Sequence, residues 1–274
     1  MYNSPNIADL HFGRLKFSVV SENDEFMEGI RKFFICNRIK EPDFIFNVSF
    51  SLDSTHVKKE GLRPFSYGRT SGFFSWKMNR LDLIFNNNEI IKRPFNFLPV
   101  FFSVFYTLER TVNVDEYCNV FLHAAGIIKD EYGYVFTGPS GSGKSTVCEY
   151  SMPGSVVTSD ELVLISRRNG KSYLCNSPIK GKIYAMEKLK KRIKAIFILK
   201  KDSDDYLVRL KRPESITELL SCVTFDECFG FLDESEYMLE RLRLALSVSR
   251  WLPVYALHFR KGKGFWSAIR NTLE

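Results

Sequence analysis

The sequence predicts an α/β fold with α+β elements, arranged as a mainly β accessory domain over residues 1–110 and a mixed β-sheet core over residues 111–274. Two patterns predict this fold. Before residue 110, short runs alternate or cluster β-branched and aromatic side chains, as strands do. After it, short apolar strands alternate with helical segments around a glycine-rich turn at 138–143, which is typical of helices packed on a sheet. A chain of 274 residues with 45% hydrophobic content can bury a core in each part.

The first part contains four predicted strands and at least one helix. The strands are predicted at Phe12–Val20, Phe44–Leu52, Gly72–Trp76 and Arg80–Phe85. Asn86-Asn87-Asn88 predicts a turn after the last strand, and the apolar spacing within Asp24–Phe34 predicts an amphipathic helix. The apolar stretch Pro94–Thr107 has 14 residues. Because that is too short to span a bilayer, we predict a buried helix or a pair of strands there.

The second part contains strands joined by tight turns. Strands are predicted at Ile127-Ile128, Tyr134–Phe136, Ser155–Thr158, Leu162–Ser166, Lys171–Cys175, Ala195–Leu199, Tyr206–Leu210 and Val254–His258. Helices are predicted at Val147–Tyr150, Thr217–Cys222, Glu234–Leu246 and Phe265–Leu273. The first two strands flank a turn at Asp130–Gly133, and Arg168-Asn169-Gly170 indicates a hairpin. Pro253 opens the last strand, so we predict that this strand lies at an edge of the sheet, where proline is tolerated.

The most informative motif is Gly138-Pro139-Ser140-Gly141-Ser142-Gly143-Lys144-Ser145-Thr146, which fits the phosphate-loop pattern G-x-x-x-x-G-K-[ST] at every position. Such a loop turns backbone N–H groups inward as an anion-binding nest and leads into a helix N-terminus, whose dipole favours negative charge. We expect Lys144 to occupy a solvent-facing phosphate site and to reach the β- and γ-phosphates. The Ser145 hydroxyl is expected to bind Mg²⁺. The motif therefore predicts that these nine residues bind a nucleoside triphosphate.

A phosphate loop also needs a carboxylate for Mg²⁺ and, for phosphoryl transfer, a base for the acceptor. Asp160 is the best candidate because it follows the apolar pair Val156-Val157 at the end of a predicted strand, 16 residues after Lys144. Glu161 adds a second carboxylate beside it; the alternative is that the pair only caps the next element. His123 lies on the strand before the loop, where it is either a core histidine or part of the site.

These residues together carry a resemblance. Leu122–Gly126, the phosphate loop and Thr158–Val163 resemble the C-terminal catalytic domain of HPr kinase/phosphorylase, within the phosphoenolpyruvate-carboxykinase-like P-loop fold. Ser177-Pro178 with Gly181, and the strand Ala195–Leu199, resemble HPr-kinase-like proteins as well. The similarity spans about residues 118–260, and the first 110 residues take no part in it. The resemblance implies binding of ATP with Mg²⁺ and transfer of a phosphate to a serine hydroxyl.

The resemblance also implies a role for each matching residue. Lys144 and Ser145 would hold the triphosphate and the metal, and Asp160 would act as base or acid, with Glu161 beside it at the metal. His123 would contact the phosphates. The sequence departs from the family's kinases at Thr146, where they carry Glu, and at Glu161, where they carry a second Asp. The kinases of this fold assemble as oligomers, which by analogy implies a homo-oligomer.

Charge and cysteine usage bear on partners and compartment. The net charge is +7, and basic residues concentrate between Lys171 and Arg212. That segment is either a solvated helix face with strand ends or a surface for an anionic partner, and a phosphorylated substrate or acidic protein would serve as well as nucleic acid. We expect no nucleic-acid partner. The six cysteines show no C-x-x-C spacing, which indicates neither a zinc site nor a disulfide framework. With no targeting signal or membrane span recognised, the sequence predicts a cytoplasmic protein.

Three functions remain open at this stage. The first is a Mg-ATP-dependent kinase that phosphorylates a hydroxyl of a protein, a peptide or a small molecule. The second is a carboxykinase-like lyase acting on a small acid, for which His123 and Lys180 or Lys182 would have to hold a second metal. The third is a non-catalytic ATP-binding module whose N-terminal domain recruits a partner. ATP turnover with a phosphorylated product separates the first from the third.

Overall fold

A computed structural model describes residues 6–273 except 13–14, 35, 37–38, 52–61, 68–69, 87–88, 94–96, 110–116, 153, 178, 180, 186–188 and 224–233. Leu52, Asn87, Asn88, Pro94, Pro178 and Lys180, which the sequence analysis names, therefore lie outside the described residues. The chain divides into two compact units. One includes Met1–Thr107, and the other includes Leu108–Thr224 and Ser235–Glu274.

The first unit is built on a six-stranded mixed sheet. Its strands are β1 (Asn6–Phe12), β2 (Leu15–Ser21), β3 (Phe44–Phe50), β4 (Arg63–Tyr67), β5 (Thr70–Lys77) and β6 (Arg80–Phe85), in the order β1-β2-β3-β6-β5-β4. The β2–β3 and β3–β6 pairs are parallel and the others antiparallel. The predicted single strand Phe12–Val20 is wrong, because Phe12 ends β1 and pairs with Leu15 at the start of β2. Both strands of this hairpin alternate with the same period of two, so the pattern does not reveal the reversal between them.

Three helices complete the first unit: α1 (Asp24–Phe33), α2 (Glu89–Lys92) and α3 (Leu98–Glu109). Helix α1 confirms the predicted amphipathic helix, and Asn23 caps it by accepting a hydrogen bond from Phe26 N–H. Helix α3 shows that the apolar stretch forms a helix and not a strand pair. The Phe101 ring of this helix packs edge-on against Phe17 of β2, with ring centroids 5.1 Å apart. No helix within the described residues is long and apolar enough to cross a membrane.

The second unit is built on an eight-stranded mixed sheet. Its strands are β7 (Tyr117–Lys129), β8 (Tyr132–Thr137), β9 (Val156–Ser159), β10 (Leu162–Arg168), β11 (Lys171–Cys175), β12 (Lys190–Lys201), β13 (Tyr206–Arg209) and β14 (Val254–Phe259). They run in the order β11-β10-β7-β8-β12-β14-β13; in addition, β9 pairs with β7 and β11 pairs with β12. The helices are α4 (Lys144–Ser151), α5 (Arg212–Leu220), α6 (Glu234–Trp251) and α7 (Phe265–Leu273). The predicted α/β fold with mixed sheets is confirmed at this level.

The position of β14 corrects one prediction. This strand does not lie at an edge, because β12 pairs with it on one side and β13 on the other. Pro253 stands before the strand rather than inside it, so its missing N–H removes no bond from the ladder. Its carbonyl instead accepts a hydrogen bond from Ile196 N–H at 3.0 Å. Strand β13, which has four residues and pairs with β14 alone among the described strands, lies at an edge instead.

Strand β12 lies between β8 and β14 and pairs with both of them in parallel. Their carboxyl ends therefore lie at one edge of the sheet, where open α/β sheets bind ligands. An aromatic core holds this part together, and Tyr134 of β8 packs edge-on against Trp266 of α7 with centroids 5.1 Å apart. The indole N–H of Trp266 donates to Ser151 Oγ at 3.0 Å, which ties α7 to the end of α4. The segment from β8 to α4 is thus fixed at both ends.

Candidate functional site

The glycine-rich segment forms a loop between β8 and α4. Gly138, Gly141 and Gly143 have φ values of +154°, +76° and +111°, which L side chains rarely adopt. At Gly143 the space is also filled, because a Cβ atom there would lie 2.7 Å from Cζ of Phe259. Ser142 N–H donates to Pro139 O at 3.1 Å and closes a turn inside the loop. The loop conformation therefore requires glycine at these positions.

Lys144 opens α4 and corrects one expectation. Its side chain is only 8% exposed and does not face solvent. The ammonium group donates to the carbonyl oxygens of Gly138, at 2.8 Å, and Pro139, at 3.4 Å. Burial lowers the pKa of Lys144, and the negative potential of Cys222 and then Glu161 acts in the opposite direction. The lysine thus holds the loop closed on its own backbone, a structural role that the motif alone does not indicate.

A cleft of about 340 Å³ gathers most of the sequence-predicted residues. Its lining consists of His123, Ser140, Gly141, Gly143, Lys144, Ser145, Thr146, Asp160 and Glu161. Gly138, Pro139 and Ser142 belong to the same loop but do not line the cleft. The first two supply the carbonyls that hold Lys144, whereas the buried hydroxyl of Ser142 has no hydrogen-bond partner within the described residues. The residues of strand β7, the loop and the segment after β9 therefore converge on one volume.

Asp160 follows directly after β9 and is 4% exposed. Its backbone N–H donates to Ile183 O, and Ile183 N–H donates back to the Oδ1 atom, both at 3.1 Å. Gly181 stands against the same carboxylate so closely that a Cβ atom there would overlap Oδ1. In the preceding residue, Ser159 Oγ accepts hydrogen bonds from the N–H groups of Glu161 and Leu162. These bonds fix the turn that carries the two carboxylates.

His123 is not a core histidine. Its side chain is 44% exposed, and Nε2 lies 3.5 Å from Oε1 of Glu161. The backbone on both sides of it is held: His123 N–H donates to Cys222 O at 2.8 Å, and Thr137 Oγ1 donates to His123 O at 2.7 Å. The second bond joins the histidine strand to the residue immediately before the phosphate loop. The imidazole and the Glu161 carboxylate thus stand side by side in the cleft.

Cys148 lies in α4 and is fully buried. Burial raises the pKa of its thiol to about 12, and the charges of Asp160 and Glu149 act in the same direction. Because the thiolate is the reactive form, this cysteine is inert at neutral pH and fills the core.

The oxygen atoms in the cleft fit a magnesium ion. Mg²⁺ is typically held through one or two carboxylates together with substrate phosphates and water, rather than by a complete protein cage. The Ser145 hydroxyl and the carboxylates of Asp160 and Glu161 supply this kind of partial ligand set. The described residues include no cluster of three or more His, Cys, Asp or Glu side chains suited to hold a metal by themselves.

Three further residues contribute to the site without having been predicted as site residues. Ile183 acts through its backbone, so its side-chain identity carries no signal. Gly181 is named only as part of the resemblance, and Thr137 stands out only as a polar residue that ends an apolar strand. Each of them positions a cleft residue: Ile183 and Gly181 bound the Asp160 carboxylate, and Thr137 holds the His123 backbone.

Comparison with known proteins places the sequence in a family. The family model described as "SynChlorMet cassette protein ScmC" matches residues 100–274, which is more than half of the chain. The chain belongs to the ScmC family. The match covers the whole phosphate loop and both carboxylates, and it is to the ScmC family rather than to an HPr kinase family. No curated protein matches the sequence.

A solved structure is similar to part of this chain. The structure of the Hpr(Ser) kinase/phosphatase from Coxiella burnetii aligns with a TM-score of 0.32 and 11% sequence identity. The alignment covers 56% of this chain and 89% of that chain.

Proposed function

We propose that this chain binds a nucleoside triphosphate, ATP being the expected one, with Mg²⁺ at residues 138–146 and transfers the γ-phosphate to a hydroxyl group of a protein, a peptide or a small molecule. One observation carries the proposal: a single cleft joins a phosphate-loop sequence to a buried carboxylate, a second carboxylate and a histidine. A phosphate loop alone predicts only binding. The carboxylates beside it add what a transfer reaction needs, namely a metal ligand and a proton acceptor.

The loop supports triphosphate binding through its backbone and its helix. The N–H groups at the start of α4 have no partners within the helix and point toward its N-terminal side, where the helix dipole also favours negative charge. Lys144 is anchored at this point. To reach the β- and γ-phosphates, its ammonium group must exchange the carbonyls of Gly138 and Pro139 for phosphate oxygens. Because the buried ammonium group already donates two hydrogen bonds to the protein, it has lost part of its hydration, and the exchange has a reduced desolvation cost.

Asp160 is suited to accept the proton of the acceptor hydroxyl. One carboxylate oxygen is engaged by Ile183 N–H, and the described residues donate no hydrogen bond to the other. A carboxylate fixed in this way needs little reorganisation during in-line transfer. With Mg²⁺ bound, Ser145 and the two carboxylates would hold the ion, which neutralises charge on the phosphates. His123, beside Glu161, can then donate a hydrogen bond to a phosphate oxygen.

The experiment separates binding from chemistry with one substitution. Asp160→Asn keeps the side-chain size and the acceptor for Ile183 N–H but removes the charge and the proton acceptor. ATP affinity is measured by calorimetry with Mg²⁺, and slow hydrolysis of [γ-³²P]ATP, in which water replaces the acceptor hydroxyl, measures turnover. Loss of a general base typically costs about 10²–10⁴ in rate, so the variant should bind ATP and lose most of its turnover. Glu161→Gln should have a smaller effect.

Asp130→Asn is the matched control, since Asp130 lies in the β7–β8 turn at φ +47°, which Asn also tolerates. It should hydrolyse ATP like the wild type. Normal turnover in Asp160→Asn would show that Asp160 is only a structural cap. Tight ATP binding without any turnover in the wild type, whatever acceptor is offered, would leave a nucleotide-binding module instead of an enzyme.

A further inference from the structure

A second cleft adjoins the phosphate-loop cleft. It has a volume of about 410 Å³ and is lined by Gly143, Thr146, Lys201, Asp202, Phe259, Arg260 and Lys261. Gly143 and Thr146 line both clefts, so the two meet at the first turn of α4. We propose that this second cleft holds the nucleoside half of the nucleotide whose phosphates occupy the loop, with the Arg260 guanidinium as a platform for the base. The inference rests on the proposed function.

The sheet topology places the second cleft where a ligand is expected. Lys201 ends β12 and Phe259 ends β14, and the two residues are partners in the parallel ladder. β8, which leads into the phosphate loop, is the parallel neighbour of β12. Ligands of open α/β sheets bind beyond the carboxyl ends of such strands. The phosphate loop and the second cleft therefore occupy consecutive positions along the same sheet edge.

The linings divide the chemistry between the two clefts. His123, Asp160 and Glu161 line only the first cleft, whereas Lys201, Arg260 and Lys261 line only the second. A nucleotide that spans both would place its reacting phosphate beside the carboxylates and its nucleoside at the cations. The opposite orientation would put the γ-phosphate away from every candidate base and metal ligand. The arrangement thus determines the direction in which the ligand must lie.

Arg260 has the geometry of a stacking platform. Its Nε donates to Asp205 Oδ2 at 3.2 Å, and its backbone N–H donates to Asp205 Oδ1 at 3.1 Å, so the base of the side chain and its guanidinium plane are both held. Asp205 is in turn packed against Gly264, where any Cβ atom would overlap the carboxylate. A planar guanidinium stacks on nucleobases, which an ammonium group cannot do.

Lys201 and Lys261 supply hydrogen-bond donors in the same cleft. Neither lysine forms an ion pair or side-chain hydrogen bond with the part of the chain that the structure describes. Each ammonium group can donate to ring nitrogens, sugar oxygens or the α-phosphate. The two lysines can therefore donate hydrogen bonds to a ligand, while the base of that ligand stacks on the Arg260 guanidinium.

The wall of the second cleft is preformed by Asp202. This carboxylate accepts hydrogen bonds from Ser203 N–H at 2.7 Å and Tyr206 Oη–H at 3.1 Å, and it pairs with His258 Nδ1 at 2.9 Å. The Tyr206 and His258 rings stack with centroids 4.4 Å apart. Because both of its oxygens already accept hydrogen bonds from neighbouring residues, Asp202 shapes the wall and does not itself bind the ligand. The floor is tied to the loop, since the Phe259 ring packs against Gly143.

The test compares two ligands that share phosphates and differ in the nucleoside. Affinities for MgATP and for magnesium tripolyphosphate are measured by calorimetry on the full chain. The wild type should prefer ATP. Arg260→Ala should weaken ATP binding by about tenfold or more, the scale of base stacking on a side chain, and leave tripolyphosphate affinity unchanged. Arg260→Lys, which keeps the charge and loses the plane, should lose most of the preference too. Lys263→Ala, an exposed neighbour outside the cleft lining, is the control.

Each outcome decides a different claim. Equal affinities for ATP and tripolyphosphate in the wild type would overturn the nucleoside site and leave the phosphate loop standing. An equal loss for both ligands in Arg260→Ala would show that the cations bind phosphate or another anion, and would overturn it as well. No binding of either ligand would overturn the loop assignment, and the second cleft with it. Thermal unfolding of each variant checks the fold, and Arg260 is exposed enough for substitution to be tolerated.

Discussion

Asp160 and Ile183 exchange two hydrogen bonds, from backbone N–H to backbone O in one direction and from backbone N–H to carboxylate Oδ1 in the other, each 3.1 Å long. This pair holds a buried carboxylate in one orientation beside the phosphate loop. The strand end that carries Asp160 and the segment that carries Ile183 lie 23 residues apart in the chain. The position of the candidate base is therefore set by a second segment as well as by its own strand.

Gly181→Ala should move this carboxylate without touching the phosphate loop. A Cβ atom at position 181 would overlap Asp160 Oδ1, so either the carboxylate or the segment before Ile183 must shift. A misplacement of about 1 Å can cost about 10²-fold in rate. We expect kcat for ATP hydrolysis to fall by that order and KM to change little, measured by steady-state kinetics. Lys182→Ala, an exposed neighbour, is the control; a raised KM with unchanged kcat would argue against a role of Gly181 in positioning Asp160.

Lys144→Ala should affect both binding and stability. The ammonium group is lost to the phosphates, so MgATP affinity measured by calorimetry should vanish. The carbonyls of Gly138 and Pro139 lose a charged donor as well, and such a bond contributes about 1.5–3 kcal/mol. The free energy of unfolding, measured by urea titration without nucleotide, should therefore decrease by up to this amount. Wild-type affinity in the variant would contradict the loop assignment, and unchanged stability would contradict the structural role of the lysine.

Local patterns in the sequence predict most elements of the second unit. The β7–β8 turn, the β10–β11 hairpin, β12 and α7 all have periodicity or turn residues of their own. Helix α5 begins five residues before its predicted start, at Arg212, where Pro213 and the hydrogen bond from Lys211 N–H to the Glu214 carboxylate mark its N-terminus, and α6 continues five residues past its predicted end, to Trp251. The place of β14 inside the sheet could not be predicted, since lateral order depends on pairing between residues far apart in sequence.

The same distinction holds for the cleft. The loop, Asp160, Glu161 and His123 could be found because their residue types and spacing carry chemistry. The backbone of Ile183 could not, because any residue offers the same N–H and C=O groups. Lys201 and Phe259 follow two predicted strands. The rule that α/β sheets bind ligands at the carboxyl ends of their strands, which selects Asp160, therefore also selects these two residues. Their meeting in one cleft depends on β12 and β14 being neighbours, which the sequence pattern left undetermined.

Gly143→Ala should lower the free energy of unfolding by more than the backbone strain of an alanine at positive φ. Gly143 and Gly154 have similar φ values, +111° and +105°, but only Gly143 is crowded, with Phe259 Cζ 2.7 Å from the position of a Cβ atom. Alanine at each position should carry a backbone strain on the order of 1–3 kcal/mol. The additional loss of unfolding free energy in Gly143→Ala, compared with Gly154→Ala, measures the clash. Gly143→Ala should also weaken ATP binding; equal destabilisation of the two variants would mean that Phe259 moves aside freely.

Asp202 should make stability depend on pH in acid. The hydrogen bond with His258, followed by those with Ser203 N–H and Tyr206, lowers the pKa of this carboxyl from 3.8 to about 2. Because the pKa is lower in the folded state than the ordinary 3.8, the ionised carboxylate stabilises the folded state at pH values above 3.8. This stabilisation disappears as the pH falls from 3.8 toward 2. The difference in melting temperature between wild type and Asp202→Asn, measured at pH 5 as the reference, should therefore shrink as the pH falls below about 4. Asp204→Asn is the control, because it removes the same charge two residues further along the chain. A difference that stays constant down to pH 3 would show that Asp202 holds the cleft wall through its shape and neutral hydrogen bonds, not through its charge.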